Sequence, residues 1–384
     1  MKMAGRPDTA ARAPRVLIAG GGTGGHVYPG LAVAEELRRL APATEIRFAG
    51  TRRGIEARLV PAAGWRLHTM PASGLRGLGP AARLLFAANF AAGCAVAGML
   101  LLRWRPDVVL GTGGYVSAPA LMAAYGWGCP VALQEQNAIP GAANRFLARL
   151  TRRVYLGTPA AAERFVGRDC LVTGNPVRAS LAAAAAAAPA TPLARGAAAA
   201  RLRLLVFGGS RGAGTLNRAV RELARLRAER ADFDLLVQTG TAEQEAVATA
   251  LAAWPRDRAR VVAYIEDMAA ALTWADLVVC RAGAMTLAEL AATGRPAVLV
   301  PYPHAADDHQ TRNAREVAAA GAAVLLPDAQ CDAAALATHL DSFARDPARL
   351  AAMARASARL ARPDAAKRIA EDLLCLAGRL PAAT

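Results

Sequence analysis

The stretch Gly20-Gly-Gly-Thr-Gly-Gly-His-Val-Tyr-Pro-Gly30 sets five glycines and a threonine directly before an imidazole. Glycines between a strand and a helix let the chain turn sharply and aim several backbone N–H groups at one point. The positive end of the following helix adds to that field, so the point suits an anion such as a phosphate. A glycine turn alone is ordinary. One that closes on His26 is less so, because an imidazole near neutral pH can take a proton from a reacting hydroxyl. A second glycine turn, Gly111-Thr-Gly-Gly-Tyr-Val-Ser117, follows an apolar run, and Gln134-Glu-Gln-Asn137 ends another. Each by itself reads as a loop; three at the carboxyl ends of strands make a binding face.

The second half of the chain carries its own set. Gly208-Gly-Ser-Arg-Gly-Ala-Gly214 is again a glycine turn between strand and helix patterns. Cys280-Arg-Ala-Gly-Ala-Met-Thr-Leu-Ala-Glu289 is another such junction, and two readings of it stay open. Thr286 and Glu289 have the spacing of a reciprocal helix cap, which the local pattern alone favours. The Glu289 carboxylate is equally suited to the two hydroxyls of a ribose. Pro301-Tyr-Pro-His-Ala-Ala-Asp-Asp-His-Gln310 is stiffened by proline and rich in groups that bond sugar hydroxyls. Asp307 and Asp308 are expected to cap the next helix, and Asp232 and Asp234 fall at the start of a strand, the wrong end for a site. No histidine or cysteine spacing fits zinc, so neither a metal nor another cofactor is expected.

These loops need elements to hold them. Strand patterns near 15–19, 45–50, 65–70, 107–111, 130–134, 152–156 and 169–173 alternate with helical ones. The alternation restarts at Leu202 with strands near 202–207, 233–238, 259–264, 276–280, 297–301 and 323–326. Such alternation predicts parallel sheets covered by helices on both faces. The fold class is therefore α/β: two Rossmann-like, doubly wound parallel-sheet domains facing one another across a cleft. Their expected bounds are 1–178 and 201–345, joined by an alanine-rich linker or loop at 179–200. Helices from 346 to 384 are expected to pack back across the junction.

Composition narrows the partners. The 384 residues are 54% hydrophobic and 20% charged, which is globular, and the formal net charge is +16. Lysine occurs only at 2 and 367, so the positive charge is almost all arginine. Biased codon usage and a selected basic face explain this equally well. Aromatics are only 5% and no recognition module is present, so nucleic acid is not an expected partner. The six cysteines form no CxxC pair, which fits thiols in a reducing compartment, and residues 1–14 lack the apolar core of a signal peptide. Leu84–Leu102 runs 19 residues without a charge, between Arg83 and the pair Arg103 and Arg105. A spanning helix there would split one sheet across a membrane. It therefore reads either as a buried helix or as one that lays an apolar face on a membrane surface.

Taken together, GGGTGGHVYPGLAVA, GTGGYVSAPA, EQNAIPGAANR, GNPVR, GGSRGAGTLN, YIEDM, CRAGAMTLAEL and PYPHAADDHQTRNA resemble the motifs of the MurG family, in order from about 16 to 327. These are peptidoglycan N-acetylglucosaminyltransferases. The resemblance implies a glycosyltransferase-B fold, UDP-N-acetylglucosamine (UDP-GlcNAc) as donor and lipid I as acceptor, with lipid II as product. It also implies inversion at the anomeric carbon, no metal, and peripheral attachment, through residues near 75–105, to the anionic cytoplasmic surface of the inner membrane. Carried over motif by motif, Thr23, Gly24 and Gly25 would hold phosphate or sugar groups, and Asn137 would contact the transferred sugar. Arg178 and Ser210 would meet the diphosphate, and Ile265 the uracil through its backbone. Ala284, Met285, Thr286, Leu287, Ala288 and Glu289 would wrap ribose and phosphates, with Gln310 on the N-acetylglucosamine. Some relatives have two glutamines where this chain has His309-Gln310, so that sugar contact rests on Gln310. His26 is the expected general base, with Glu135 as the alternative. Helix N-termini near 210 and 286 would stabilise the leaving diphosphate. The rival readings are a UDP-sugar epimerase, which would bind the same donor but needs acid/base carboxylates that the sequence does not place, and a dinucleotide oxidoreductase or a basic scaffold, which leave part of this motif set unexplained.

Overall fold

The computed structural model describes residues 12–74, 79–187, 201–209 and 212–378. The chain divides into two compact units, one of residues up to Arg178 plus those from Asp364 onward, the other Ala179–Pro363.

The first unit is built on β1 (Arg15–Gly20), β2 (Glu45–Gly50), β3 (Arg66–Thr69), β4 (Val108–Gly113), β5 (Val131–Glu135), β6 (Arg153–Leu156) and β7 (Cys170–Val172). Its helices are α1 (Gly24–Leu40), α2 (Glu56–Ala62), α3 (Pro80–Trp104), α4 (Ser117–Gly126) and α5 (Ala142–Leu147). All strand pairs are parallel, in the order β3-β2-β1-β4-β5-β6-β7. Parallel pairing forces each connection through a crossover helix, so both faces of the sheet are covered and its strands are apolar nearly throughout. Val16, Leu17, Ile18, Val108, Val109 and Leu110 are accordingly buried at the centre.

The second unit opens with α6 (Ala179–Ala187) and continues through β8 (Leu202–Phe207), α7 (Gly214–Leu226), β9 (Phe233–Gln238), α8 (Gln244–Ala250) and β10 (Ala259–Val262). It goes on with α9 (Met268–Trp274), β11 (Leu277–Cys280), α10 (Ala284–Ala292), β12 (Ala297–Leu299), α11 (His309–Ala319) and β13 (Ala323–Leu325). Three helices complete the chain: α12 (Ala333–Arg345), α13 (Pro347–Arg359) and α14 (Ala365–Leu376). The strand order β10-β9-β8-β11-β12-β13 repeats the first sheet's plan. In both sheets the order reverses beside the first strand, and there the loops diverge and leave a crevice for ligands.

One region differs from the sequence expectation. Residues 179–187 form α6 rather than a linker, and Leu181 is fully buried in the second unit's core with Leu205, Phe207 and Leu272. The C-terminal helices split between the units. In α13, Ser357 Oγ donates to the carbonyl of Leu290, while α14 buries Ile369, Ala370, Leu373 and Leu374 against the core beneath α1. There Tyr155 donates to Asp372 Oδ2 at 2.8 Å, which ties α14 to β6.

Candidate active site

At the reversal point of the first sheet, β1 runs into α1 through the glycine loop. Thr23 is the N-cap, in extended conformation, and its carbonyl accepts from the N–H groups of His26 and Val27. His26 thus lies in the first turn of α1, beside Gly24 and Gly25. Its Nδ1 is 3.2 Å from the carbonyl oxygen of Gly21 and 3.3 Å from Thr23 Oγ1. The imidazole rests on the backbone at the end of β4. A Cβ on Gly113 would stand 3.0 Å from His26 Cδ2, and one on Gly114 would stand 3.0 Å from Nδ1. Both residues also have positive φ, 100° and 77°, so glycine is required there twice over. The two glycine turns seen in the sequence are thereby one site: the second is the floor on which the first sets its histidine.

The third strand end is more structural than its polarity suggests. Gln136 Nε2 donates to the carbonyl of Thr112, Gln134 Nε2 to Asn175 Oδ1, and Asn175 Nδ2 to the carbonyl of Gln136. These buried amides fasten β4, β5 and the segment after β7 to one another. Glu135 is 1% exposed, and its Oε1 accepts from Asn137 N and Nδ2 at 2.9 and 3.1 Å while Oε2 accepts from Asn144 Nδ2 at 2.7 Å. Burial pushes its carboxyl above the usual range against the opposing pull of those donors. Asn144, which no chemical pattern singled out, is the partner that lets this carboxylate stay indoors. Arg178 stacks its guanidinium 4.5 Å from the ring centroid of Tyr28 on α1.

In the second unit the equivalent point lies between β8 and β11. Ser210 lies outside the described residues, and α7 begins at Gly214. Gln238, at the end of β9, bridges two loops: its Nε2 donates to the carbonyl of Gly209 and its Oε1 accepts from the N–H of Ile265. The N–H of Ile265 is thus held within the second unit. The sequence reading passed over Gln238, whose only signal is an amide at a strand end. Helix α10 starts at Ala284 with Gly283 as N-cap, so Thr286 lies in the first turn and the expected Thr286–Glu289 capping box does not form. Ala284, Met285 and Glu289 are buried, whereas Thr286, Leu287 and Ala288 are partly exposed. Gln310 accepts at Oε1 from the N–H groups of both Ala282 and Tyr302, 3.1 and 2.9 Å away. It therefore joins the ends of β11 and β12, and any contact it makes to a sugar is a donation from Nε2.

Asp307 and Asp308 also depart from expectation. Both are left-handed, with φ of 53° and 52°, and Asp308, the N-cap of α11, makes no capping bond with its side chain. Asp308 Oδ1 instead accepts from the Thr311 hydroxyl at 2.6 Å. Two strained residues in succession set the entry angle that brings Gln310 back onto β11. Among the described residues, no group of three His, Cys, Asp or Glu side chains is placed to hold a metal ion.

Two doubly wound sheets, each with a glycine loop at its reversal point, define a glycosyltransferase-B fold. The chain belongs to glycosyltransferase family 28: residues 16–156 match its N-terminal domain and residues 203–369 its C-terminal domain. Among curated proteins it is similar to UDP-N-acetylglucosamine--N-acetylmuramyl-(pentapeptide) pyrophosphoryl-undecaprenol N-acetylglucosamine transferases. That of Salinibacter ruber is 45% identical, covering 96% of this chain and 99% of the relative. That of Geobacter sulfurreducens is 44% identical, covering 94% and 98%. Among solved structures, MurG of Acinetobacter baumannii superposes with a TM-score of 0.73 at 30% identity, covering 94% of this chain and 99% of that one. A UDP-GlcNAc 2-epimerase from Neisseria meningitidis has a TM-score of 0.67 at 14% identity and shares the fold alone.

Proposed function

We propose that this protein is the transferase its relatives are named for. It moves N-acetylglucosamine from UDP-GlcNAc to the 4-hydroxyl of the N-acetylmuramyl group of lipid I, giving lipid II. The observation that carries this is the placement of His26, an imidazole clamped over Gly113 and Gly114 at the strand ends of a chain that matches both family 28 domains.

The chemistry follows from what the reaction must do. The acceptor oxygen attacks the anomeric carbon, the bond from that carbon to the UDP oxygen breaks, and the diphosphate leaves with the electron pair. The hydroxyl proton passes to His26, which suits the role because a neutral imidazole is a base near pH 7. Glu135 is the weaker candidate, since its two oxygens already accept from Asn137 and Asn144. Thr23, Gly24 and Gly25 offer backbone N–H groups at the start of α1 to acceptor groups, and Asn137 stands on the neighbouring loop for the transferred sugar. On the donor side, Ile265, the first turns of α10 (Ala284 to Glu289) and Gln310 supply base, ribose, phosphate and sugar contacts, with Ser210 and Arg178 assigned to the diphosphate. The N-terminus of α10 offsets charge on the leaving group, so inversion proceeds without a metal.

Attachment to the membrane is assigned to α3. Arg83–Trp104 is long and apolar enough to cross a bilayer, yet Ala97, Leu100, Leu101 and Trp104 are buried on the core of the first unit. Leu84, Leu85, Val96, Met99 and Leu102 are exposed, at 75%, 63%, 41%, 50% and 47%. A helix packed along one side and apolar along the other lies on a surface, and Arg83, Arg103 and Arg105 are suited to anionic headgroups on the cytoplasmic side of the inner membrane. Residues 75–78 of the same expected patch lie outside the described residues.

The test is release of UDP from UDP-GlcNAc in EDTA, with and without a lipid I analogue. Release only with acceptor supports a metal-independent transferase. Release or epimerisation of the sugar without acceptor overturns it in favour of an epimerase.

A further inference from the structure

Glu56, the first residue of α2, is 0% exposed and belongs to none of the motifs described so far. A buried carboxylate needs donors on every side. Oε1 accepts from Thr51 N at 2.9 Å and Thr51 Oγ1 at 2.7 Å, and Oε2 accepts from the N–H of Gly22 at 2.8 Å. Its pocket exists because three neighbours lack side chains. A Cβ on Gly21, Gly50 or Gly54 would fall 2.3, 2.6 or 2.1 Å from Glu56 atoms. The run Gly50-Thr51-Arg-Arg-Gly54-Ile-Glu56 after β2 is therefore a cradle for one carboxylate beneath the catalytic loop.

The N–H of Gly22 and the C=O of Gly21 belong to one planar peptide. At one edge of that plane the N–H is held by Glu56. At the other, the carbonyl oxygen lies 3.2 Å from His26 Nδ1. A carbonyl carries no proton, so this contact needs the proton on Nδ1. Thr23 Oγ1, 3.3 Å from the same nitrogen, is a hydroxyl that can give or accept and so does not choose. A carboxylate pulling on an amide N–H polarises the amide and makes its oxygen a stronger acceptor.

We infer that Glu56 acts on His26 through the Gly21–Gly22 peptide, holding the imidazole in its Nδ1–H tautomer so that Nε2 is the nitrogen that takes the acceptor's proton. This is the carboxylate–imidazole pairing of acid–base sites with one amide inserted between the partners. It rests on the reading of His26 as the base. Glu56 is a positioning residue: it gains and loses no proton during transfer, and the proton that leaves the acceptor 4-hydroxyl ends on Nε2.

The experiment is nuclear magnetic resonance of the full chain labelled with 15N-histidine, read alongside steady-state kinetics. The chain has only five histidines, and the spectrum of His26→Ala identifies the signal of interest. The wild-type protein is expected to show His26 as Nδ1–H. In Glu56→Gln a neutral oxygen faces Gly22, and an amide N–H2 faces the N–H of Thr51. The tautomer should then shift toward Nε2–H, and kcat should fall by about 10- to 100-fold, the usual cost of losing an outer-shell orienter. The KM for UDP-GlcNAc should stay within about twofold. Thr51→Val removes one bond to the same carboxylate but leaves Gly22 held, so it should keep the wild-type tautomer. A purely structural role for Glu56 would make the two variants alike.

An Nε2–H tautomer in the wild-type protein, a measurement that needs no variant, overturns the inference. So does a folded Glu56→Gln that loses activity with its tautomer unchanged. Undiminished turnover in His26→Ala would instead overturn the base assignment, and the two failures are thereby separate.

Discussion

Gly114→Ala and Gly64→Ala make a matched pair that isolates what the histidine's floor does. The two glycines have nearly the same left-handed backbone, with φ of 77° and 78°, and both belong to the first unit. Alanine at either therefore carries the same backbone strain, about 1–2 kcal/mol. The surroundings differ. A Cβ at Gly64 meets nothing within 4 Å, whereas one at Gly114 meets His26 Nδ1 at 3.0 Å, the Gly21 oxygen at 3.1 Å and His26 Cε1 at 3.2 Å. Those contacts are with a ring and a backbone carbonyl rather than the end of a flexible chain, so relief requires the imidazole to move. Overpacking of this kind costs a further ~1–3 kcal/mol. Gly64→Ala should lower the unfolding midpoint of the unit by about 2–8 °C and leave turnover alone. Gly114→Ala should lose several degrees more, and its turnover should drop by about 100-fold, the typical share of a general base. Calorimetric unfolding and the UDP-release assay, run on both variants with UDP-GlcNAc affinity as control, decide the matter. Equal turnover in the two would refute the placement of His26 on Gly114 as a catalytic requirement. Loss of donor affinity in Gly114→Ala, with turnover kept at saturation, would move this loop to donor binding.

The other expectations are simpler. His26→Ala should cut kcat by about 100-fold or more with little change in affinity for UDP; calorimetric titration with UDP checks this, and loss of UDP binding would count against the base. Because burial raises the Glu135 carboxyl from its ordinary value of 4.5, the folded unit holds that proton more tightly than the unfolded chain does. Stability from this group is therefore present at low pH and declines as pH rises through the raised value. Urea unfolding should accordingly show a smaller loss of stability between pH 4.5 and neutrality in Glu135→Gln than in wild type. Burial pushes the Cys331 thiol up to about 11, and that of the fully buried Cys280 higher still, so at pH 8 only about one Cys331 in a thousand is thiolate. Mass spectrometry after alkylation should find both unlabelled in the folded protein and labelled in urea. Leu84→Glu with Leu85→Glu should abolish sedimentation with anionic vesicles while leaving turnover on a soluble acceptor intact.

Much of the fold was legible because its signals are local. A parallel sheet buried on both faces writes short apolar runs into the sequence, and each helix between them writes a period of 3.6. Every strand from Arg15–Gly20 to Ala323–Leu325 falls where those runs lie. The alanine-rich stretch was less readable, since a helix is recognised by contrast between its faces and alanine supplies none. Residues 179–187 form a helix whose anchor is the single large residue Leu181. At α10, the capping signal of Thr286 and Glu289 lost to Gly283, which starts the helix early and turns Glu289 inward.

The sequence by itself determined which chemistry was on offer: glycine turns at strand ends, one imidazole among them, and a motif order that matches a family of transferases. Those are properties of neighbours along the chain. Only the tertiary structure decided how the pieces serve one another. Gly113 and Gly114 become the floor for His26 because β1 and β4 are adjacent in the sheet, although 93 residues separate Ala19 from Thr112 at their ends. Glu56 reaches Gly22 across a separation of 34 residues because β2 lies against β1 on its other side. Parallel pairing brings the carboxyl ends of distant strands to one edge, and contacts made across that edge leave no period or spacing in the sequence to announce them.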